Sequence, residues 1–232
     1  MAEISGLVSM GMQGVLDAIG PIFEESSGHA LALTFNTSKM LLQRLRGGAE
    51  PDVLVITREG IDGLIADGLI APSTDVTLAR SSVGIAVRKG APKPDISTPE
   101  ALKHAVLAAR AISYSDPSGG GASGVHFEKV LHRLGIADVV KAKTRIPPVG
   151  RHTAELLLNG EVDLAVQQIA ELLFVKGVDL VGPLPATLQL TTVFVGGIHA
   201  NARQPEAARA LLSFLRTPEA SEAVRAQGLE PV

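Results

Sequence analysis

The chain has no cysteine and no tryptophan, a single tyrosine, and only 3% aromatic residues. Without cysteine there is no disulfide framework, no thiolate metal ligand and no thiol nucleophile. Scarce aromatics argue against stacking platforms for bases or sugars. The net charge is only −3, so no broad positive field draws the chain to nucleic acid or to an anionic membrane, and neither is an expected partner. No run approaches the ~18 consecutive apolar residues of a membrane span, so no insertion is expected. The opening MAEISGLVSMGM lacks a basic stretch, an apolar run and a cleavage site in that order. Two locations stay open: periplasmic if a leader has been removed, cytoplasmic if the chain is made without one.

What is present is a core. Apolar residues make up 46% of 232, enough for one large domain or two small ones. Short apolar runs at Ile4–Val8, Ala30–Phe35 and Asp52–Ile56 read as strands. Between and after them lie stretches of helical spacing, such as Met12, Val15, Leu16, Ile19 and Phe23, closed by Gly28. That rhythm predicts a parallel, doubly wound sheet. A long extended stretch over 76–89 follows, then a second α/β set with helices over 100–109, 124–134 and 151–158 and strands over 111–115 and 163–167. A second long extended stretch covers 187–198, and two helices, 205–215 and 218–226, finish the chain. The economical topology is α/β with two doubly wound lobes. Lobe 1 is 1–80 plus 195–232, lobe 2 is 84–188, and crossing strands at 79–88 and 187–198 form a hinge. The alternative is one continuous doubly wound sheet.

Ligands of open parallel sheets bind beyond the carboxyl ends of the strands, where helix N-termini offer free N–H groups and a positive dipole end. Four strand-to-helix joints stand out. The first is Ser9-Met10-Gly11-Met12, and the second is Asn36-Thr37-Ser38-Lys39. The third is the glycine-rich run from Ser115 through Gly121 and Ser123 to Gly124, and the fourth is Gly150-Arg151-His152-Thr153. All carry hydroxyls, glycine or a cation, and none carries an acid in what reads as the first helical turn, Asp116 lying ahead of its helix. A Ser or Thr before a helix also serves as an ordinary N-cap, and Lys39 and Arg151 also read as solvated charges. Walker A, G-x-S-x-G and H-E-x-x-H patterns are missing, and the G-x-G-x-x-G spacing is not met where strand 1 enters helix 1, so no nucleotide, metal or other cofactor is expected.

At these joints the chain resembles the type II periplasmic solute-binding proteins, in particular the molybdate-binding proteins of ABC importers. The resemblance rests on VSMGMQGVLDAIGPIFEESSGHALALTFNTS, GGAEPDVLVITREGIDGLIADGLI, LARSSVGIAVRKGAPKPDIST and LLNGEVDLAVQQIAELL, in the family's order. It implies a small anionic solute as ligand and, if the chain is exported, an ABC permease as partner. It also implies correspondences. The molybdate binders' first serine falls at Gly11, their second matches Ser38, and their anion-contacting tyrosine falls at Gln168. With one hydroxyl and the tyrosine gone, and Lys39 and Arg151 present, a di- or tricarboxylate or similar small oxyanion is expected, with a carboxylate-bearing ligand preferred to molybdate. The expected ligand set is Ser9, Met10, Gly11, Thr37, Ser38, Lys39, Gly121, Ser123, Arg151 and Gln168.

PSGGGASGVHFEKVLHRLGI and the ending QGLEPV resemble a leaderless subgroup related to aconitate isomerase. That implies a second reading, a cofactor-free isomerase moving an allylic proton on an unsaturated polycarboxylate. Such a reaction needs a base. His126, just after the glycine-rich loop, and His152, at an expected helix start that would lower its pKa, are the catalytic candidates.

Overall fold

The computed structural model describes residues 1–148 and 150–232. In chain order its elements are β1 (Glu3–Ser9), α1 (Gln13–Ser27), β2 (Ala30–Asn36), α2 (Ser38–Arg46), β3 (Val53–Thr57), α3 (Arg58–Ala66), β4 (Val76–Arg88), α4 (Pro99–Ala108), β5 (Ile112–Tyr114), α5 (Ala122–Arg133), α6 (Ala137–Lys141), α7 (Glu155–Leu158), β6 (Leu164–Gln168), α8 (Ile169–Phe174), β7 (Val178–Pro183), β8 (Thr191–Ile198), α9 (Pro205–Phe214), α10 (Pro218–Ala226) and β9 (Glu230–Pro231). The chain divides into two compact units, Met1–Ser81 with Thr192–Val232, and Ser82–Thr191. It passes from the first to the second within β4 and returns at the start of β8.

In the first unit β1 pairs in parallel with β2 on one side and β3 on the other. β8 lies antiparallel to β3, so the sheet is mixed and not parallel throughout as the β-α rhythm predicts. The local signals are conventional. Gly28, at φ 70°, closes α1 in the left-handed region that glycine tolerates. The Thr37, Thr57 and Thr217 hydroxyls each accept from the amide three residues on and start α2, α3 and α10. Leu41 and Leu45 of α2, Leu54 and Ile56 of β3, and Ile61 and Leu64 of α3 share one core. Each such side chain contributes about 1.5–3 kcal/mol by leaving water.

One buried charge holds this unit's elements together. Asp52 is 3% exposed. Its carboxylate accepts from the Ser5 amide and hydroxyl on β1, both at 2.8 Å, and from the Gln204 amide ahead of α9, also at 2.8 Å. Burial alone would raise its pKa. The Ser5 amide and hydroxyl and the Gln204 and Arg203 amides outweigh that and hold it below the ordinary range.

The second unit is built on β4, which pairs antiparallel with β6 and with β7, while β5 runs parallel to β6. Its main core gathers Val83 and Ile85 of β4, Leu102 and Val106 of α4, Phe127 and Leu131 of α5, and Val166 of β6. Three of its elements, α6, α8 and β7, are absent from the sequence reading. Each has six residues or fewer, too few to show a period. The extended stretch expected over 187–198 is strand only from Thr191. Before it, the Gln189 carboxamide takes the part of a strand backbone. Its oxygen accepts from the Val83 amide and its nitrogen donates to the Val83 carbonyl, both at 2.9 Å.

Candidate functional site

In the first unit, parallel pairing sets Ser9 opposite Asn36, so the first and second joints lie side by side at the carboxyl edge of the sheet. The first joint is a single tight turn, Met10–Met12, with α1 beginning only at Gln13. Ser9 and Met10 are each 7% exposed, and the Ser9 hydroxyl makes no capping bond. Gly11 has a packing reason that the sequence does not show. A Cβ there would lie 2.5 Å from Cζ of Phe194, a fully buried ring on β8. The space that a side chain at position 11 would take is therefore filled from outside by phenylalanine. In the second joint the Thr37 hydroxyl caps α2 by accepting from the Met40 amide at 3.4 Å. Ser38 is the first residue of that helix and half-buried, and Lys39 is exposed. α2 has no acid in its first turn.

In the second unit, parallel pairing of Tyr114 with Val166 brings the third joint beside the end of β6, where Gln168 lies. Gly121 is the N-cap of the twelve-residue α5, whose first turn has neither an acid nor a capping side chain. Ser123 is 2% exposed, its hydroxyl 3.4 Å from that of Ser115. The glycines here are required by crowding. A Cβ on Gly124 would meet the Ser115 carbonyl oxygen at 1.9 Å, and one on Gly121 would meet the Ser115 Cβ at 2.9 Å. Asp116 turns back on its own loop, accepting from the Ser118 amide at 2.9 Å and hydroxyl at 2.8 Å.

The fourth joint differs from its expectation. Its helix begins at Glu155, not Arg151, runs four residues, and carries Glu155 in its first turn. That carboxylate pairs with the Arg151 guanidinium and accepts from the His152 amide at 3.0 Å. An acid therefore takes up this joint's donors, and Arg151 is an ion-paired, exposed residue. Val149 lies outside the described residues.

The two histidines are placed very differently. His126 directs Nε2 at the Leu188 carbonyl, 2.7 Å away, so a backbone oxygen already occupies that nitrogen. His152 is 5% exposed, with its ring centroid 4.9 Å from that of Phe174. Its pKa is lowered, as expected, but by burial and not by a helix end. Glu155 opposes the shift and Arg151 adds to it. Its Nδ1 is fully buried and without a partner among the described residues.

Around His152 lies a polar cluster that sequence reasoning misses. The Gln167 carboxamide oxygen accepts from the Thr153 amide at 3.0 Å and the Thr153 hydroxyl at 2.9 Å. Thr153, Gln167 and Gln168 are 0%, 4% and 5% exposed. Glu171 on α8 accepts from the Gln168 amide and the Gln167 side chain, yet burial raises its pKa to about 7. The available signal was Glu171 three residues after Gln168, the spacing from which the acid of a capping box reaches back to the N-cap amide. Among the described residues no group of three or more His, Asp or Glu is placed to hold a metal ion, and no helix is long and apolar enough to cross a membrane.

A family model described as bacterial extracellular solute-binding protein matches residues 4–230. A Pseudomonas sp. protein named aconitate isomerase is 34% identical over 238 aligned residues, covering 100% of this chain and 89% of the relative. Among solved structures, the periplasmic molybdate-binding protein of Azotobacter vinelandii superposes with a TM-score of 0.81 at 19% identity, over 99% of this chain and 98% of that one. A sulfate-binding protein of Mycobacterium tuberculosis gives 0.77 at 17% identity, over 100% and 88%.

Proposed function

We infer that this chain, which belongs to the bacterial extracellular solute-binding protein family, captures a small di- or tricarboxylate anion. Its fold is the type II periplasmic-binding-protein fold. The observation that carries the reading is that α2 and α5, one in each unit, begin at the carboxyl edge of a sheet with no acid in the first turn. With no acid beside them, the positive dipole ends of these helices suit a carboxylate. The residues that would hold the anion are Ser9, Thr37, Ser38, Lys39, Gly121, Ser123 and Gln168. Gly11 and Met10 would shape the wall through Phe194. Arg151 would take part by leaving Glu155 for the ligand.

The ligand class follows from two features. Phe194 against Gly11 leaves no space for a hydroxyl of the kind that grips a compact oxyanion. The whole-chain relative carries aconitate in its name, whereas the molybdate and sulfate binders share the fold at under 20% identity.

That same relative favours a second reading, isomerisation of an unsaturated polycarboxylate by allylic proton transfer. Of the expected bases, His126 is engaged by Leu188, so His152 is the better candidate, being held neutral. Export with an ABC permease remains the counterpart of simple capture. A thermal-shift series with cis-aconitate, trans-aconitate, citrate, sulfate and molybdate should raise the melting temperature most with a polycarboxylate. A response to molybdate alone would overturn the ligand class. Proton NMR of cis-aconitate in heavy water should show exchange or conversion if the second reading holds. An unchanged spectrum at high protein concentration leaves capture alone.

A further inference from the structure

The second unit contains a cavity of about 540 Å³ that the site above does not use. It lies at the other end of the sheet. β6 enters it at Leu164 and carries Gln168 at its far end, about 13 Å away at a strand rise of about 3.3 Å per residue. β4 runs antiparallel to β6, so its last residues, Val87 and Arg88, arrive at the same end. The floor is apolar. Val87, Leu157, Val162 and Leu164 are all buried and belong to the cores of this unit. One wall is made of alanines at i, i+3 and i+4, namely Ala105, Ala108 and Ala109, where longer side chains would close the space. This volume is that of a small-molecule pocket. A protein partner would instead cover about 800 Å² on each side.

The charges around the cavity select the ligand's polar end. Asp163 is matched in place, accepting from the Arg110 amide at 2.6 Å and guanidinium at 3.3 Å. The carbonyls that end α4 are matched as well. Lys143 Nζ donates to those of Val106, Leu107 and Ala109 at 2.8, 2.7 and 2.6 Å, which offsets the negative end of the helix dipole. The Arg88 guanidinium has neither a hydrogen bond nor an ion pair among the described residues. One uncommitted cation therefore stands at the edge of an apolar floor.

We propose that this cavity is a second binding site, for an apolar monocarboxylate whose hydrocarbon lies on Val87, Leu157, Val162 and Leu164 and whose carboxylate pairs with Arg88. Citrate and aconitate do not suit it, since their further carboxylates would be buried on that floor without partners.

The test uses the full-length protein and three eight-carbon probes, octanoate, 1-octanol and octylammonium, followed by the amide signals in NMR. Octanoate should move the amides of Arg88, Ala91, Ala105, Ala108 and Gly160 saturably. The neutral and cationic probes should bind at least about tenfold more weakly. Arg88→Ala, at an exposed strand end, should weaken octanoate to the level of octanol. Ala108→Trp, at the exposed end of α4, should abolish binding of all three. Octylammonium binding as tightly as octanoate, unchanged octanoate affinity in Arg88→Ala, or no movement of these amides would overturn the proposal. Movement of the same amides on concentrating the protein alone would assign the cavity to a second copy and overturn it too. Should Ala108→Trp fail to fold, the probe series and Arg88→Ala decide. Added citrate should leave octanoate affinity unchanged, whereas competition would place octanoate in the other site and refute a second one. Failure here leaves the polycarboxylate reading standing, and the reverse holds.

Discussion

Each unit holds one acid against hydrogen-bond donors, and the two acids respond in opposite directions. In the first unit Asp52 collects donors from Ser5, Arg203 and Gln204, and its carboxylate is favoured despite burial. In the second unit Glu171 has only Gln167 and Gln168, and burial dominates. Close by, His152 Nδ1 is buried without a partner, as is the Ser113 hydroxyl, among the described residues. The lesson is one of donor count. Enough short hydrogen bonds make a buried charge a fixed structural element, whereas too few leave it balanced between two protonation states near neutrality.

The sharpest way to break this comparison is Asp52→Ala. It strips the acceptor from three hydrogen bonds at 2.8 Å and should cost about 3–5 kcal/mol in denaturant unfolding. A loss under about 1 kcal/mol would show that Asp52 is no hub. Because its folded pKa is lowered, the stabilisation it gives is present above the ordinary 3.8 and is lost as pH falls through the folded value.

Glu171→Gln should have the opposite sign. A carboxyl raised from 4.5 to about 7 binds more protons folded than unfolded across that interval, so stability declines as pH rises through it. Removing the charge should therefore stabilise by up to about 2–3 kcal/mol at pH 8, with the gain vanishing toward pH 4.5. Melting curves of both proteins at the two pH values check this. His152 acts the other way. Its lowered pKa means that the unfolded chain takes the proton first, so its share of stability is lost as pH falls below 6.5.

The smallest effect is expected for Arg151→Ala. The guanidinium is 63% exposed and paired with Glu155, so unfolding free energy should change by about 0–1 kcal/mol. Affinity for a polycarboxylate should fall more clearly, since a bidentate cation would be lost. Unchanged affinity would remove Arg151 from the proposed site.

Much of this was legible in local sequence. The strands and helices of the first unit apart from β9, the glycine that ends α1 and the helix starts after β1, β2 and β5 all follow from patterns within a few residues. So did the proposal of hydroxyl-bearing, acid-free starts at α2 and α5. The fourth joint was not legible, because whether a helix starts at Arg151 or Glu155 turns on one ion pair and on the hold of Gln167 upon Thr153.

The chain's own sequence determined where backbone donors gather, since turn chemistry, capping and alternation act between neighbours. Only the tertiary structure decided what meets them. Phe194 fills the space at Gly11, Leu188 occupies His126, and Gln167 ties Thr153 to Glu171. The physical reason is that burial and hydrogen-bond partnership are set by groups distant in sequence, and the protonation of His152 and Glu171 depends on both.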